Sequence, residues 1–148
     1  MKRYVYVLAF IVSFMSLVAC SKNDPAPASP VVGRWELNRG LLSGFPTSTT
    51  ANINGESIDL YYIASYGSII DIFSDNTFNE NSRQLFVDDA GGTWDFTSNT
   101  VTLKYDAGGQ DAYTYSKNKN IEELTSTTPQ NFTAASGAIG KIQFIYRK

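Results

Sequence analysis

Residues 31–148 consist largely of short stretches in which apolar and polar side chains alternate. Between Thr100 and Asp106, for example, Val101, Leu103 and Tyr105 occupy every second position. A period of two with one apolar face is typical of antiparallel strands that lie half buried on a core. The same alternation recurs at 31–38, 92–97, 112–116 and 141–147. The pattern therefore predicts an all-β domain.

Short polar turn sequences separate these stretches, as at 74–77, 97–100 and 107–110. Strands that follow one another through tight turns form a meander of antiparallel neighbours. We predict about eight strands, near residues 31–38, 57–63, 67–74, 77–86, 91–97, 100–106, 111–117 with 120–125, and 140–147.

A flat meander of this length would expose two unpaired edges, and closure into a barrel removes both. The first and last patterned strands are placed to pair with each other. The fold expected is therefore an antiparallel up-and-down meander closed into a roughly eight-stranded barrel. A two-sheet sandwich remains the alternative, because periodicity does not distinguish the two.

Three segments interrupt the alternation. Residues 40–55 are expected to form a long connection and a candidate lid, since long loops in compact domains are often binding loops. Residues 57–66 fit either a strand or a short helix. Residues 126–140, rich in Ser, Thr, Ala and Gly, are expected to be a loop.

Aromatic side chains are concentrated on the predicted inner face. One interpretation is a ligand-lined cup, in which rings supply contact area and tyrosine hydroxyls supply polar groups. The other is a filled core, because an eight-stranded barrel is narrow enough for its own side chains to fill. The residues concerned are Trp35, Trp94, Phe96, Tyr105, Tyr113, Tyr115, Phe144 and Tyr146.

The first 30 residues have a different character from the rest. Lys2 and Arg3 precede an apolar run and then small residues before Cys20, an order typical of a secretory signal, which we assign to 1–19. The run is shorter than the roughly 20 apolar residues of a spanning helix. Residues 20–30 contain prolines, alanines and serines, a composition that predicts a semi-extended tether of roughly 3 Å per residue. Residues 31–148 are then the barrel domain.

The four residues 17–20, Leu-Val-Ala-Cys, resemble the lipobox of bacterial lipoproteins. The resemblance implies cleavage before Cys20, a diacylglycerol on its thiol and acylation of the new amino group, so that lipid anchors the protein to the membrane. Two or three chains make such an anchor stable, whereas one is marginal. No second cysteine exists to form an internal disulfide.

The residue after Cys20 bears on where the protein is delivered. Ser21 stands there instead of Asp, and the lipoprotein resemblance then implies delivery to the outer membrane. Residues 21–24 also resemble, loosely, the surface export signals of Bacteroidetes lipoproteins. The periplasmic face and the cell surface both remain open.

The barrel domain also resembles a family. Residues 32–37 are similar to the G-x-W start of lipocalins, and 73–78, 92–96 and 101–103 resemble the corresponding motifs of lipocalin-like lipoproteins of the Bacteroidetes. The resemblance implies a barrel that binds small apolar molecules. Asn76 stands in place of the usual turn glycine, which is tolerable because Asn accepts positive φ. The disulfide pair of many lipocalins is missing.

The net charge and the residue types present exclude several classes of partner and of catalytic or metal site. Removal of Lys2 and Arg3 leaves 10 basic residues against 14 acidic ones, a net charge near −4, so no nucleic-acid partner is expected. The absence of histidine excludes Ser-His-Asp and Cys-His catalysis and the usual zinc and copper sites. We therefore expect neither a cofactor nor a metal.

The carboxylate pairs Asp88–Asp89 and Glu122–Glu123 are interpreted as solvated loop charge. Side chains of adjacent strand residues point to opposite faces, so neither pair forms an acid–base dyad alone. Asp71, between two isoleucines, is predicted to face outward.

Two hypotheses on function follow. The first is a lipid-anchored barrel that binds a small, largely apolar ligand at its open end. The second is a filled barrel that acts as a protein-interaction or inhibitor module of the cell envelope. An enzyme ranks third and is not expected, although two carboxylates about 5–10 Å apart in a cleft would revive it.

Overall fold

The computed structural model of the protein describes residues 28–47, 52–82 and 89–148. The predicted signal peptide and Cys20 lie outside the described residues. The elements in chain order are β1 (Gly33–Ser43), β2 (Ser57–Ile58), α1 (Leu60–Ala64), β3 (Ser68–Ile72), β4 (Thr77–Ser82), β5 (Ala90–Thr97), β6 (Thr100–Tyr105), β7 (Gln110–Asn118), β8 (Ile121–Ser126), β9 (Gln130–Thr133) and β10 (Ile139–Arg147).

Eight of these strands form a closed antiparallel up-and-down barrel. Strands β1, β3 to β8 and β10 each pair with their neighbours, and β10 pairs back onto β1 to complete the ring. The remaining two strands are additions, with β2 beside β1 and β9 beside β10. The barrel prediction is confirmed, including the pairing of the first and last strands, and no two-sheet sandwich forms.

The first strand is longer than the pattern predicts. It continues to Ser43 instead of ending near residue 38, so the expected connection at 40–55 begins later. The register against β10 shifts between Leu37 and Arg39, which interrupts the alternation without ending the strand. The extra length carries β1 beyond the ring and provides the edge on which β2 pairs.

For two other segments the structure resolves an open alternative in one case and differs from the prediction in the other. The ambiguous stretch 57–66 forms the short strand β2 and then the single-turn helix α1, at whose start the Asp59 carboxylate accepts a hydrogen bond from the Tyr62 amide at 3.1 Å. The loop prediction for 126–140 is wrong in part, because β9 and β10 form a hairpin there. The few apolar residues of β9 hid this strand from the pattern.

The strand directions divide the barrel into two ends. At one end the chain enters through Val31 and finishes at Lys148, and the Lys148 ammonium donates to the Pro30 carbonyl at 2.9 Å. We call this the terminal end. We call the opposite end the mouth; it carries α1, β2, β9 and the turn at 106–109.

Positive-φ residues shape the tight turns at the terminal end. Ser98 and Asn99, with φ of 51° and 66°, form a two-residue hairpin between β5 and β6, the geometry that matches strand twist. Asn76 has φ of 67°, so asparagine does adopt the conformation for which glycine is usual. These turns keep the terminal end compact.

The apolar interior consists of two clusters. The larger fills the barrel and includes Trp35, Ile70, Phe78, Leu103 and Leu124 among its buried members. The smaller lies at the mouth, where Leu60 of α1 packs on Leu42, Phe45 and Ile142. Leu37 and Phe144 contact both clusters. The helix therefore covers part of the mouth.

Candidate functional site

The aromatic residues predicted to face inward all belong to the barrel core. Four are buried, with Trp35 at 0%, Trp94 at 6%, Tyr113 at 4% and Tyr146 at 1% exposure. The other four are half-buried and pack against the same cluster, namely Phe96, Tyr105, Tyr115 and Phe144. Their placement agrees with the sequence pattern, and their role in ligand binding remains a prediction.

Rings fill the terminal end of the barrel. Trp35 and Phe96 both make edge-on contacts with Tyr115, at centroid distances of 6.2 Å and 6.0 Å. The Trp35 indole N–H donates to the Val31 carbonyl at 2.7 Å. The polar atom of this tryptophan is thus satisfied by its own chain, and the ring serves as packing.

Ion pairs neutralise the inward carboxylate at the terminal end. Glu122 lies on the inward face of β8 with Leu124 and forms ion pairs with Lys117 and Lys148. The Lys148 ammonium also lies 5.4 Å from the Trp35 ring centroid, a cation–π geometry. Rings and ion pairs therefore fill the barrel interior at this end, beside a cleft of about 500 Å³ whose lining includes Arg34, Asp71 and Phe73.

Two outward carboxylates, Glu123 and Asp71, have cationic partners as well. Glu123 contacts Arg39 and Arg147, so the interpretation of Glu122–Glu123 as solvated loop charge is wrong, although the two do face opposite sides of β8. Asp71 faces outward, as predicted, and accepts two hydrogen bonds from Arg34 at 2.9 Å. The Arg34 guanidinium lowers the pKa of Asp71. Asp88 lies outside the described residues.

A hydroxyl–carboxylate cluster lies inside the barrel toward the mouth. Glu80 accepts hydrogen bonds from the Ser68 hydroxyl at 2.7 Å and from the Tyr105 hydroxyl at 2.8 Å. The Tyr105 oxygen also lies 2.9 Å from a carboxylate oxygen of Asp111. The two carboxylate oxygens are therefore no farther apart than these two distances together, about 5.7 Å. We call these four residues the acid–tyrosine cluster.

Burial and negative charge hold the neighbouring tyrosines in their neutral form. Burial, followed by the charge of Glu80, raises the pKa of Tyr105 far above its usual value. Burial is also the main reason that the pKa values of Tyr113 and Tyr146 are raised. Tyr66 follows the same order, with burial first and then the charges of Glu80 and Asp111. These phenols are therefore protonated at neutral pH, and that of Tyr105 donates a hydrogen bond to a carboxylate.

A cleft of about 260 Å³ opens at the mouth between α1 and the β9–β10 hairpin. The Tyr66 ring packs against the ring of Phe144 at 5.8 Å, and both rings belong to its wall. The charges of Glu80 and Asp111 contribute, after burial, to the raised pKa of Tyr66. We call this the mouth cleft, and its lining comprises Leu60, Ala64, Tyr66, Gln130, Asn131, Phe132, Ile142 and Phe144.

Of the predicted ligand-contacting residues, the mouth cleft includes only Phe144. The sequence pattern did contain a signal for the acid–tyrosine cluster, because Glu80 continues the inward face from Phe78 and Asp111 continues it from Tyr113. A pattern defined by apolar positions alone does not identify these carboxylates. Tyr66 had no such signal, since it lies in the segment whose structure the pattern left undecided.

No protein-family model matches the chain, and no curated protein is significantly similar to it. The lipocalin-like, Bacteroidetes-type resemblance therefore remains a prediction, although the observed barrel is consistent with it. Within the described ranges, no helix is long and apolar enough to cross a membrane. In that same part of the chain, no group of three or more Asp, Glu, Cys or His side chains is arranged to hold a metal ion.

Proposed function

We propose that the protein is a lipid-anchored protein of the bacterial cell envelope whose barrel binds a small, largely apolar ligand in the mouth cleft. The observation that carries the proposal is the cleft itself, a concave space with an apolar wall and a few polar side chains. The wall comprises Leu60, Phe132, Ile142 and Phe144, and the polar side chains include Gln130 and Asn131. Binding sites commonly combine an apolar lining with a few polar groups that orient the ligand.

The mouth is a better site than the barrel interior. Trp35, Leu103 and Leu124 are fully buried in the barrel, where rings pack on one another. The mouth cleft, at about 260 Å³, is slightly smaller than the roughly 300–1,000 Å³ typical of sites for drug-sized ligands. The ligand is therefore small, or part of it projects into solvent. The amides of Gln130 and Asn131 offer hydrogen bonds at the wall.

The chain enters the barrel at the end opposite the mouth cleft, so an anchor on the tether would not obstruct the cleft. The proposed tether, residues 20–30, joins the barrel at the terminal end, while the mouth cleft lies at the opposite end. A lipid on Cys20 would thus leave the mouth uncovered. The proposed location is the outer membrane, on its periplasmic face or at the cell surface.

Ligand binding is tested with a neutral alkyl alcohol that carries a photoactivatable diazirine, applied to native envelope membranes containing the full chain. Ala64→Trp places an indole at the wall of the cleft and is expected to reduce labelling of cleft peptides at least about tenfold, the equivalent of about 1.4 kcal/mol. Ile63→Trp adds an indole at a neighbouring, 59% exposed position outside the lining and is expected to leave labelling unchanged. Equal labelling of the two variants would contradict a ligand in this cleft.

Anchoring is tested separately through Cys20→Ser. We expect this change to abolish incorporation of labelled palmitate and to release the protein from the membrane fraction, because the thiol is the proposed acyl acceptor. Ser21→Ala, the neighbouring control, should keep both properties. Unchanged membrane partitioning of Cys20→Ser would contradict the anchor but not the ligand site.

A second candidate function is that of a protein-interaction or inhibitor module. It is favoured by three consecutive exposed side chains of α1, Tyr61 at 65%, Tyr62 at 88% and Ile63 at 59% exposure. Chemical cross-linking in native envelopes should then give a stoichiometric adduct that Tyr62→Ser weakens and the distant outer-face change Lys104→Ser does not. Recovery of the monomer alone would argue against this function.

A further inference from the structure

The cleft at the terminal end lies on the outer side of the barrel, where β1 begins and β3 ends. These two strands are paired there, with Arg34 opposite Asp71. The volume of the cleft is about 500 Å³, compared with about 260 Å³ for the mouth cleft, and it falls within the roughly 300–1,000 Å³ typical of small-molecule sites. We call it the outer cleft. Its lining includes the side chains of Arg34, Asp71, Phe73, Ser74 and Asp75.

An ion pair of fixed geometry forms part of the wall of the outer cleft. The Nε and Nη2 atoms of Arg34 each donate to a different oxygen of Asp71 at 2.9 Å, the planar bidentate arrangement typical of arginine. The Nη1 group of Arg34 donates to neither of these oxygens, and 61% of the side chain is exposed. Because the two charges neutralise each other, this wall offers N–H donors and carboxylate acceptors without a net charge.

The turn after β3 adds a second carboxylate whose position is also fixed. Thr77 donates twice to the Oδ1 atom of Asp75, from its amide at 3.1 Å and from its hydroxyl at 2.6 Å. The bond from the hydroxyl is the main reason that the pKa of Asp75 is lowered, so this group is ionised at neutral pH. Neither bond uses Oδ2, and the exposed Ser74 is its neighbour in the chain. Groups held in place before a ligand arrives lose less entropy when it binds.

Phe73 supplies an apolar surface beside these polar groups. Its amide donates to the Thr77 carbonyl at 2.9 Å, which continues the β3–β4 ladder by one residue. Phe73 and Asp71 are two residues apart on this extended backbone and therefore share a face, roughly 7 Å from each other. The Phe73 side chain is 41% exposed. A ring of this kind offers contact area, and the fixed polar groups beside it offer orientation, the combination typical of small-ligand sites.

We propose that the outer cleft binds a neutral carbohydrate, with one pyranose ring lying against the ring of Phe73. The sugar hydroxyls accept hydrogen bonds from Arg34 and donate to Asp71 and Asp75. A pyranose has an apolar C–H face that packs on an aromatic ring and a rim of hydroxyls that both donate and accept. This inference goes beyond the proposed function and is independent of it, since the outer cleft and the mouth cleft lie at opposite ends of the barrel.

The charges of the outer cleft favour a neutral ligand over an ionic one. An anionic ligand would meet two carboxylates, those of Asp71 and Asp75, while the cation Arg34 is already paired with one of them. A cationic ligand would compete with the Arg34 guanidinium for Asp71. A purely apolar ligand would remove water from these polar groups and give them no new partner, which is unfavourable. A ligand with several hydroxyls satisfies each group.

The test is binding of the full chain to an array of immobilised oligosaccharides, after solubilisation in a polyoxyethylene detergent that carries no sugar. The array holds neutral oligosaccharides of glucose, galactose, mannose and N-acetylglucosamine, together with uronic-acid and glucosamine oligomers as the acidic and cationic classes. We expect at least one neutral oligosaccharide to be bound at least about tenfold more strongly than the acidic and cationic classes, a difference of the size of one hydrogen bond to a charged group.

Variants of Phe73 test the stacking surface. Phe73→Ala removes the ring and is expected to lower binding of the preferred oligosaccharide at least about tenfold, whereas Phe73→Trp keeps an aromatic face and should retain binding. Ile121→Ala shortens an apolar side chain that is 48% exposed at the same end of the barrel but outside the lining of the cleft. This matched control should bind like the parent.

Asp75→Asn tests the polar contacts. The amide keeps an oxygen that accepts from Thr77, so the turn is expected to persist, but the charge is lost and an N–H group replaces Oδ2. We expect binding to fall about tenfold. Asp106→Asn removes one charge from the turn at the mouth and should leave binding unchanged. Circular dichroism checks the fold of every variant.

Each outcome supports or overturns the inference. Binding restricted to the acidic or to the cationic class would overturn a neutral ligand, and binding to no oligosaccharide would overturn the site. Equal binding by Phe73→Ala and Ile121→Ala, or by Asp75→Asn and Asp106→Asn, would show that the outer cleft does not hold the sugar. None of these results bears on the mouth cleft, whose labelling by the alkyl alcohol is measured separately.

Discussion

The two ends of this barrel are built from the same strands but differ in their packing and in how their polar groups are paired. At the terminal end, Trp35 is fully buried, its indole N–H is bonded within the chain and Glu122 is paired with lysines. At the mouth, a cleft remains open and Glu80 and Asp111 face one shared hydroxyl. The inward carboxylate at the first end is thus paired with cations, whereas the two carboxylates at the second end share a single hydroxyl donor.

This contrast suggests a division of labour along the barrel axis. Satisfied polar groups and dense packing stabilise a fold, whereas functional sites keep arrangements that stability alone would not favour. The interior of the terminal end is accordingly expected to carry more of the stability, and the mouth to carry binding of the apolar ligand. The four predictions below test that division, from the largest expected effect to the smallest.

The largest effect is expected for Trp35→Ala. Removing this fully buried ring deletes its packing and its hydrogen bond to Val31, and should lower the free energy of unfolding by about 3–5 kcal/mol. Urea denaturation measures the change. Tyr62→Ala, at an 88% exposed position of the mouth helix, should stay within about 0.5 kcal/mol of the parent. Similar losses in both variants would remove the distinction between the ends.

An intermediate effect is expected at the mouth for Gly140→Ala. A Cβ at this position would lie too close to the Phe45 ring, which must move, at a cost of about 1–3 kcal/mol. Because the smaller cluster shifts while Trp35 stays packed, we expect loss of cleft labelling with unchanged tryptophan fluorescence. Ile139→Ala, its 65% exposed neighbour, is the control. A fluorescence change as large as that of unfolding would show that the two clusters act as one.

The stability of the protein at alkaline pH should depend on its buried phenols. The raised pKa of Tyr105, Tyr113 and Tyr146 means that the folded barrel keeps protons that the unfolded chain releases near pH 10. Stability is thus complete below about pH 10 and falls above it. Tyr105→Phe should make this fall shallower by at most about 1.4 kcal/mol per pH unit, since Tyr105 is only half-buried; urea denaturation across that range measures it. An identical slope in Tyr105→Phe would contradict the protection of its hydroxyl.

The smallest effect is expected when a carboxylate is replaced by an amide at each end of the barrel. Glu122→Gln breaks ion pairs at the terminal end and should cost at most about 1 kcal/mol, the range of exposed pairs. Lys117 lowers the pKa of Glu122, so this contribution is present above about pH 4.3 and is lost as the pH falls. Asp111→Asn removes a charge that lies near a second carboxylate and, among the described residues, has the Tyr105 hydroxyl but no cation as a partner, so stability should stay equal or rise slightly. Thermal unfolding of both variants in low salt gives the comparison, and a clear loss in Asp111→Asn would contradict it.

The sequence predicted the barrel because its strands bury one face, which enforces a period of two. The positions of Trp94, Tyr113 and Tyr146 on the inner face followed from that period alone. The prediction failed where tertiary pairing overrides local pattern. The bulge after Leu37 hid the second half of β1, and β9 depends on pairing with β10, not on its own residues.

The mouth was harder to predict than the barrel for a physical reason. An alternation identifies apolar faces, but the acid–tyrosine cluster is polar on an inward face, and only its register beside Phe78 and Tyr113 reveals it. The mouth cleft depends on how α1 lies against a hairpin distant in sequence, a tertiary contact that no local pattern encodes. Of the cleft lining, Ile142 and Phe144 lie on a face that the alternation predicted.

The contact of Lys148 with Pro30 has a practical consequence for protein engineering. Since Pro30 and Lys148 are neighbours, a short peptide could join them, and new termini could be opened at a hairpin turn elsewhere on the ring. A reporter fused after Lys148 would sit beside Pro30, at the terminal end. A circularly permuted chain opened at residues 107–109 would carry the same reporter at the mouth, on the opposite side of the barrel.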